Sequence, residues 1–235
     1  MAAIGSAHST GFTLVEVAIV LVIAGLLVQI VAKGQELIHN ARVRDIIAQQ
    51  DAMEQAVLAF QDRFRALPGD YSEASANLGC EPSTCLNGNG NGRVDPGTNG
   101  AIHEDILAWQ HLTAAGFLRG DYRMLAGATA PSAENTPSSV FGGYLQIAFD
   151  STWGATTASG HNIKTGNYVP AAVLAEVDRK TDDGLPRSGR FQFSSYAGAG
   201  ATPVAGTGGG CIDASSPAGV WLNDGDNCGA ATLLR

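Results

Sequence analysis

Residues Phe12–Ala32 read FTLVEVAIVLVIAGLLVQIVA, 21 residues in which Glu16 is the only formal charge. At ~1.5 Å per residue this is roughly 31 Å of helix, enough to cross the hydrocarbon core of a bilayer. Lys33 closes the run. A cleaved secretory signal would have a basic n-region, a shorter apolar core and a small-residue cleavage site behind it. Met1–Gly11 has no Lys or Arg, the apolar run is too long, and no A-x-A site follows it. The segment therefore reads as membrane-spanning. A carboxylate at mid-membrane costs about 2.5–3.5 kcal/mol, so Glu16 needs a partner unless it lies solvated at headgroup level.

Beyond Lys33 the helical pattern continues amphipathically. Val43, Ile46, Ile47, Met53, Val57, Phe60, Phe64 and Leu67 recur mostly at steps of three or four, with an intervening turn at Gln50. Arg42, Arg44, Asp45, Asp51, Asp62 and Arg63 fall mainly off that stripe. No Pro interrupts Phe12–Leu67, and Pro68-Gly69 ends it. One helix of about 55 residues, roughly 80 Å long, is predicted. Residues 12–33 form its membrane-spanning half, and 34–67 its amphipathic half. Gly25 and Gly34 are its weak points, each costing ~1 kcal/mol against Ala.

The remaining residues, 68–235, form a head of different character. Fourteen Lys and Arg against 22 Asp and Glu give the 235-residue chain a net charge of −8. That balance argues against nucleic-acid binding, which rests on neutralising phosphates. Thirty Gly point to many turns rather than a helix bundle. Ile102–Leu118 places Ile106, Trp109, Leu112 and Phe117 near one helical face. Gly142–Phe149 and Arg190–Tyr196 alternate as strands. Pro170–Lys180 reads as a helix opened by Pro, with Gly184 just beyond its end. Ala197–Gly210 consists almost wholly of small residues and reads as a loop. The fold class is α+β: a long N-terminal helix packed on a head with further helices and a small antiparallel sheet.

Gly11-Phe12-Thr13-Leu14-Val15-Glu16, followed by the apolar run, closely resembles the processing site of type IV pilins and type II secretion pseudopilins. The resemblance covers the N-terminal helix only. It implies that residues 1–11 are a leader cut after Gly11 by a prepilin peptidase, and that Phe12 is then N-methylated. It also implies that Glu16 pairs with the N-terminal amine of a neighbouring subunit during assembly. The physics agrees, because a carboxylate entering an apolar core must find a cation. The leader departs from the family's usual pattern, offering His8 where Lys or Arg is common.

The four cysteines, Cys80, Cys85, Cys211 and Cys228, allow three pairings, of which the local one (Cys80–Cys85, Cys211–Cys228) is the simplest. An exported head makes disulfides chemically reasonable. A zinc site is the rival, but C-x4-C lacks the C-x2-C knuckles and nearby His of zinc sites. Cys211–Cys228 also looks like the bond that closes a C-terminal loop in many type IV pilins.

Asn87-Gly88-Asn89-Gly90-Asn91-Gly92-Arg93-Val94-Asp95 sets an oxygen-bearing side chain at every second residue, as in an EF-hand-like calcium loop. The match is partial: Asn fills the first, third and fifth positions, and Thr98 stands at the twelfth. Glu104 is the candidate for the missing carboxylate. The alternative is a turn-rich loop in which Asn and Gly tolerate positive φ. Asp178–Gly184 and Asn223–Asn227 are further acidic stretches, read as turns with the same cation alternative. His103 and His111 lie eight residues apart, too far for a shared metal on one helical face, and read as solvated or core-satisfied. No H-E-x-x-H, G-x-S-x-G or phosphate-binding loop is present, so nothing points to an enzyme.

The expected function is structural: a pilin subunit of a type IV pilus-like helical filament. Before assembly it is held once through the inner membrane with its head in the periplasm, and afterwards it is extracellular. The implied partners are further copies of itself, other pilins, the prepilin peptidase, an inner-membrane platform protein and an assembly ATPase. A type II secretion pseudopilin and a minor pilin with an adhesive or calcium-binding head are the alternatives. Least favoured is an anchored enzyme or binding module using the same export route.

Overall fold

Helix α1 runs unbroken from Leu14 to Phe64 in a computed structural model that describes residues 13–80, 85–97, 103–124, 127–154, 159–206 and 208–234. Phe12, the expected first helical residue, lies outside the described residues. The helix stops at Phe64 rather than Leu67. Arg65 adopts the left-handed conformation (φ 56°) before Pro68 is reached, a position helices usually give to Gly.

The chain divides into two compact units, Met1–Ala41 and Arg42–Arg235. In the first, the apolar side chains of α1 are exposed along its length, Leu14 at 86%, Leu21 at 67% and Val28 at 69%. In the second, Val43, Ile46, Gln50, Met53, Val57 and Phe60 are buried at steps of three or four. Gln50, expected as a gap in the stripe, belongs to it: its Oε1 accepts a hydrogen bond from Thr232 Oγ1 at 3.0 Å.

The other elements follow as α2 (Ala74–Asn77), α3 (Glu104–Ala114), β1 (Gln146–Asp150), β2 (Gly160–Lys164), α4 (Ala171–Thr181), β3 (Phe191–Phe193), β4 (Ile212–Asp213), β5 (Val220–Trp221) and β6 (Ala230–Leu233). The expected second helix is confirmed but shorter, since Gly116 at φ 80° ends it. Strand β1 begins at Gln146 because Gly142 and Gly143 form a turn closed by the Ser139 N–H on the Gly143 carbonyl. Pro170 sits at the N-cap of α4, extended at φ −61°, ψ 137°.

A four-stranded antiparallel sheet has the order β1-β2-β6-β3. Gln146 pairs with Lys164, Lys164 with Ala231, and Gln192 with Ala231. β4 and β5 form a separate hairpin between Cys211 and Cys228. One apolar cluster joins Met53, Val57 and Phe60 to Trp109, Leu112, Leu145, Ile147 and Ile163. A second joins Val43 and Ile46 to Leu174, Val177, Phe191, Ile212, Trp221 and Cys228. The amphipathic half of α1 is thus the shared wall of both cores.

Candidate assembly site and the loops of the head

At the start of α1, Thr13 and Glu16 cap the helix reciprocally. Glu16 Oε2 accepts from Thr13 N and Oγ1, both at 2.8 Å, and the Glu16 N–H donates to Thr13 Oγ1 at 3.2 Å. This is a capping box, T-x-x-E, which satisfies two of the donors a helix start leaves open. The carboxylate that the sequence singles out for its charge therefore also shapes the end of its own helix. Gly11 and Phe12, the expected processing residues, lie outside the described residues. The run that follows is long and apolar enough to cross a membrane.

In the head, the calcium-like loop wraps around two buried carboxylates. Asp70 and Glu104 are 4% and 1% exposed. Glu104 Oε1 accepts from Asn89 N at 2.9 Å and Oε2 from Asp95 N at 3.0 Å. Asp70 Oδ1 takes Asn91 N at 2.9 Å and Oδ2 takes Gly92 N at 2.8 Å. Burial pushes the Glu104 carboxyl upward, and these amides only partly offset that. The expected ligands each have an oxygen in use. Asn87 accepts from Ser75 N at 2.8 Å, Asn89 from Asn91 N at 2.9 Å and Asn91 from Arg93 N at 2.8 Å, while Asp95 accepts from Asn91 Nδ2 at 2.8 Å. The alternating oxygens serve turns of the loop itself. Gly92, at the sixth position, has φ 82°, the sharp turn an EF-hand loop requires there. Thr98 lies outside the described residues.

Pro68-Gly69 was legible only as a helix stop, yet with Asp70 it anchors this loop. A Cβ on Gly69, at φ 93°, would collide with the Glu104 carbonyl. His111 fixes the same corner: its Nδ1 accepts from Gly69 N at 3.0 Å and its Nε2 faces the Leu86 carbonyl at 3.0 Å. Burial lowers its pKa from 6.5 to about 4, so it is neutral, the core-satisfied reading. His103 sits beside Asp105 at 3.5 Å.

Among the described residues, Asp178, Asp182 and Asp183 are a group whose oxygens lie within 4.8 Å of one another. All three accept internal hydrogen bonds. Asp178, fully buried, takes Trp221 Nε1 at 2.7 Å and Gly184 N at 3.1 Å. Asp182 holds the N–H groups of Arg190 and Phe191. Asp183 holds Leu185 N and Ser188 Oγ. Burial raises the Asp178 carboxyl to about 6, with Asp183 and Asp182 adding to the shift. Asp226 and Asp224 do not join this group.

Both local cysteine pairs are disulfides, with Cα atoms 5.6 Å apart in Cys80–Cys85 and 5.5 Å apart in Cys211–Cys228. Cys228 of the second also pairs through its main chain with Val169. Zinc is thereby excluded as the partner of these sulfurs.

A buried polar cluster between α3 and β1–β2 escaped the sequence reading. Lys164, wholly buried, donates to Gln146 Oε1 at 2.6 Å and pairs with Asp150. Gln146 Nε2 in turn donates to Asp105 Oδ2 at 2.8 Å. Burial draws the Lys164 pKa down against the pull of Asp150. At Asp150 the order reverses: burial raises the carboxyl, but the Lys164 charge and its hydrogen bonds win and lower it. Through Gln146 and Asp105 the cluster ties the sheet to α3.

Comparison of the chain with protein-family models, curated proteins and solved structures finds no match.

Proposed function

We propose that the chain is a pilin subunit: anchored by α1 in the inner membrane, cut after Gly11, and polymerised through α1 into a helical filament with the heads outside. One observation carries the reading. The apolar stretch of α1 is exposed along its whole length within its own subunit, while the continuation of the same helix is built into the head core. Such a surface needs lipid or neighbouring helices around it. Subunits packed head to tail without ring closure give an open helical polymer. The bracketed C-terminal hairpin supports a pilus subunit over a type II secretion pseudopilin.

The test combines processing with charge. Protein from sheared surface fibres should begin at a methylated Phe12, and Met1–Gly11 retained in assembled fibres would overturn the proposal. Glu16→Gln should abolish most fibre yield while leaving membrane insertion and cleavage intact. Gln also serves in a capping box, so the helix start is kept and only the attraction for a neighbour's amine is lost. Fibres at the wild-type rate would refute pairing at Glu16.

A second reading, a minor pilin whose head binds calcium, rests on the turn at Gly92 in the sixth position of the loop. Calorimetric titration of the full chain with calcium tests it. Asp95→Asn, which keeps the Asn91 contact in shape but not in charge, should weaken the binding. Equal heats in both proteins would refute a site in this loop.

A further inference from the structure

The loop Asn87–Gly92 contains three successive Asn-Gly steps, the dipeptide most prone to spontaneous deamidation because Gly leaves the following nitrogen unshielded. In that reaction the Gly backbone nitrogen attacks the Asn Cγ. A C–N bond forms, the side-chain nitrogen leaves as ammonia carrying the displaced proton, and the resulting succinimide takes up water to give aspartate or isoaspartate. The net change is amide plus water to acid plus ammonia, and no other reactant is needed.

The fold holds all three attacking nitrogens. Gly88 N donates to the Tyr71 carbonyl at 2.9 Å, Gly90 N to the Asp70 carbonyl at 3.0 Å, and Gly92 N to Asp70 Oδ2 at 2.8 Å. All three acceptors belong to two consecutive residues, Asp70 and Tyr71. The attacked side chains are held as well, by Ser75 N on Asn87, Asn91 N on Asn89 and Arg93 N on Asn91. Attack requires the peptide plane of each Gly to swing toward Cγ and its nitrogen to lose a proton. A hydrogen bond on that N–H opposes both movements. At Gly92 the Asp70 carboxylate also disfavours the nitrogen anion through like-charge repulsion.

We propose that Asn87, Asn89 and Asn91 are latent modification sites, kept as amides because Asp70 and Tyr71 clamp the three following N–H groups. The inference is independent of the filament reading. Protection matters at this place because each conversion adds a negative charge beside the buried Asp70 and Glu104. The carboxyl of Glu104 is already disfavoured by burial.

The experiment incubates the full chain in detergent micelles at mildly alkaline pH, folded or unfolded in urea, and follows each Asn by peptide mass spectrometry. Each of the three steps should deamidate at least roughly tenfold more slowly in the folded chain, the factor expected if opening costs one such hydrogen bond. Equal rates in the two states would overturn the proposal, as would a folded-state rate at Asn91 exceeding the unfolded one, which would make Asp70 a base. Asp70→Asn should accelerate Asn91, whose Gly92 clamp is the side chain, more than Asn87, whose clamp is the Tyr71 carbonyl. Equal acceleration in a variant shown to be folded would refute the residue-by-residue clamp. Wild-type hydrogen exchange supplies a check that needs no variant: the amides of Gly88, Gly90 and Gly92 must be protected, and free exchange would sink the idea.

Discussion

Asp178→Asn should change how the head responds to acid without changing its fold. The wild-type carboxyl is buried at the end of α4 and raised from 3.8 to about 6. Below 3.8 it is protonated both folded and unfolded and costs nothing. As pH rises toward 6 the unfolded chain ionises first, so stability is lost across that window and the loss is complete above it. A shift of about two units corresponds to roughly 3 kcal/mol. His111 runs the other way. Its folded pKa of about 4 lies below 6.5, so its contribution is full above 6.5 and is lost as pH falls toward 4, again by about 3 kcal/mol. In the wild type these slopes largely offset each other. Asn at 178 cannot titrate, and it keeps one of the two contacts to Trp221 Nε1 and Gly184 N. Relative to wild type, the variant should gain about 3 kcal/mol between pH 4 and 6.5, whatever fixed cost the lost hydrogen bond imposes. Urea unfolding of the full chain in detergent, followed by circular dichroism at several pH values, measures that difference. A difference that stays flat across the window would refute a raised, buried Asp178.

Two further outcomes follow from the packing. Cys211→Ser should destabilise the head more than Cys80→Ser: loops of 17 and 5 residues correspond to about 3 and about 2 kcal/mol of loop entropy, read as urea midpoints under oxidising conditions. Equal losses would show that the hairpin between Cys211 and Cys228 is held by packing rather than by the bond. Lys164→Met should cost about 3–5 kcal/mol, because Asp150 is left charged and without its cation. Adding Asp150→Asn should recover part of that loss, and a double variant no better than the single one would remove the ion pair from the account.

What the sequence shows and hides follows from where the decisive contacts are made. Helix α1 was legible because its two halves carry their own signals, an apolar run and then a stripe at steps of three or four. Both depend only on near neighbours along the helix. Helix α3 was legible for the same reason, although its reading ran past Gly116 to Leu118, and α4 was legible from Pro170 at its start and Gly184 beyond its end. Strand β6 was not. Ala230-Ala231-Thr232-Leu233 has little intrinsic strand preference, yet it lies between β2 and β3 with both alanines fully buried. Small residues suit a strand crowded on both edges, but that crowding exists only once the sheet has formed. β2 hid for a different reason. His161, Asn162 and Lys164 break the expected alternation, and Lys164 is tolerated inside only because Asp150 and Gln146 meet it across the strand pair.

The loops divide along the same line. Local cysteine pairing was the simplest reading because the partners are close in sequence, and the fold agrees. Asp70, just beyond the Pro68-Gly69 stop, drew no reading, since the amides it holds lie 21 and 22 residues later. At the helix start both kinds of information meet in one side chain. The T-x-x-E pattern of Thr13 and Glu16 is a local capping signal, whereas the pairing we propose for the Glu16 charge would need a neighbouring chain. In the subunit Glu16 Oε2 serves Thr13. In the proposed filament a neighbour's amine would have to share that oxygen or take the other, so the cap would preset the side chain before assembly.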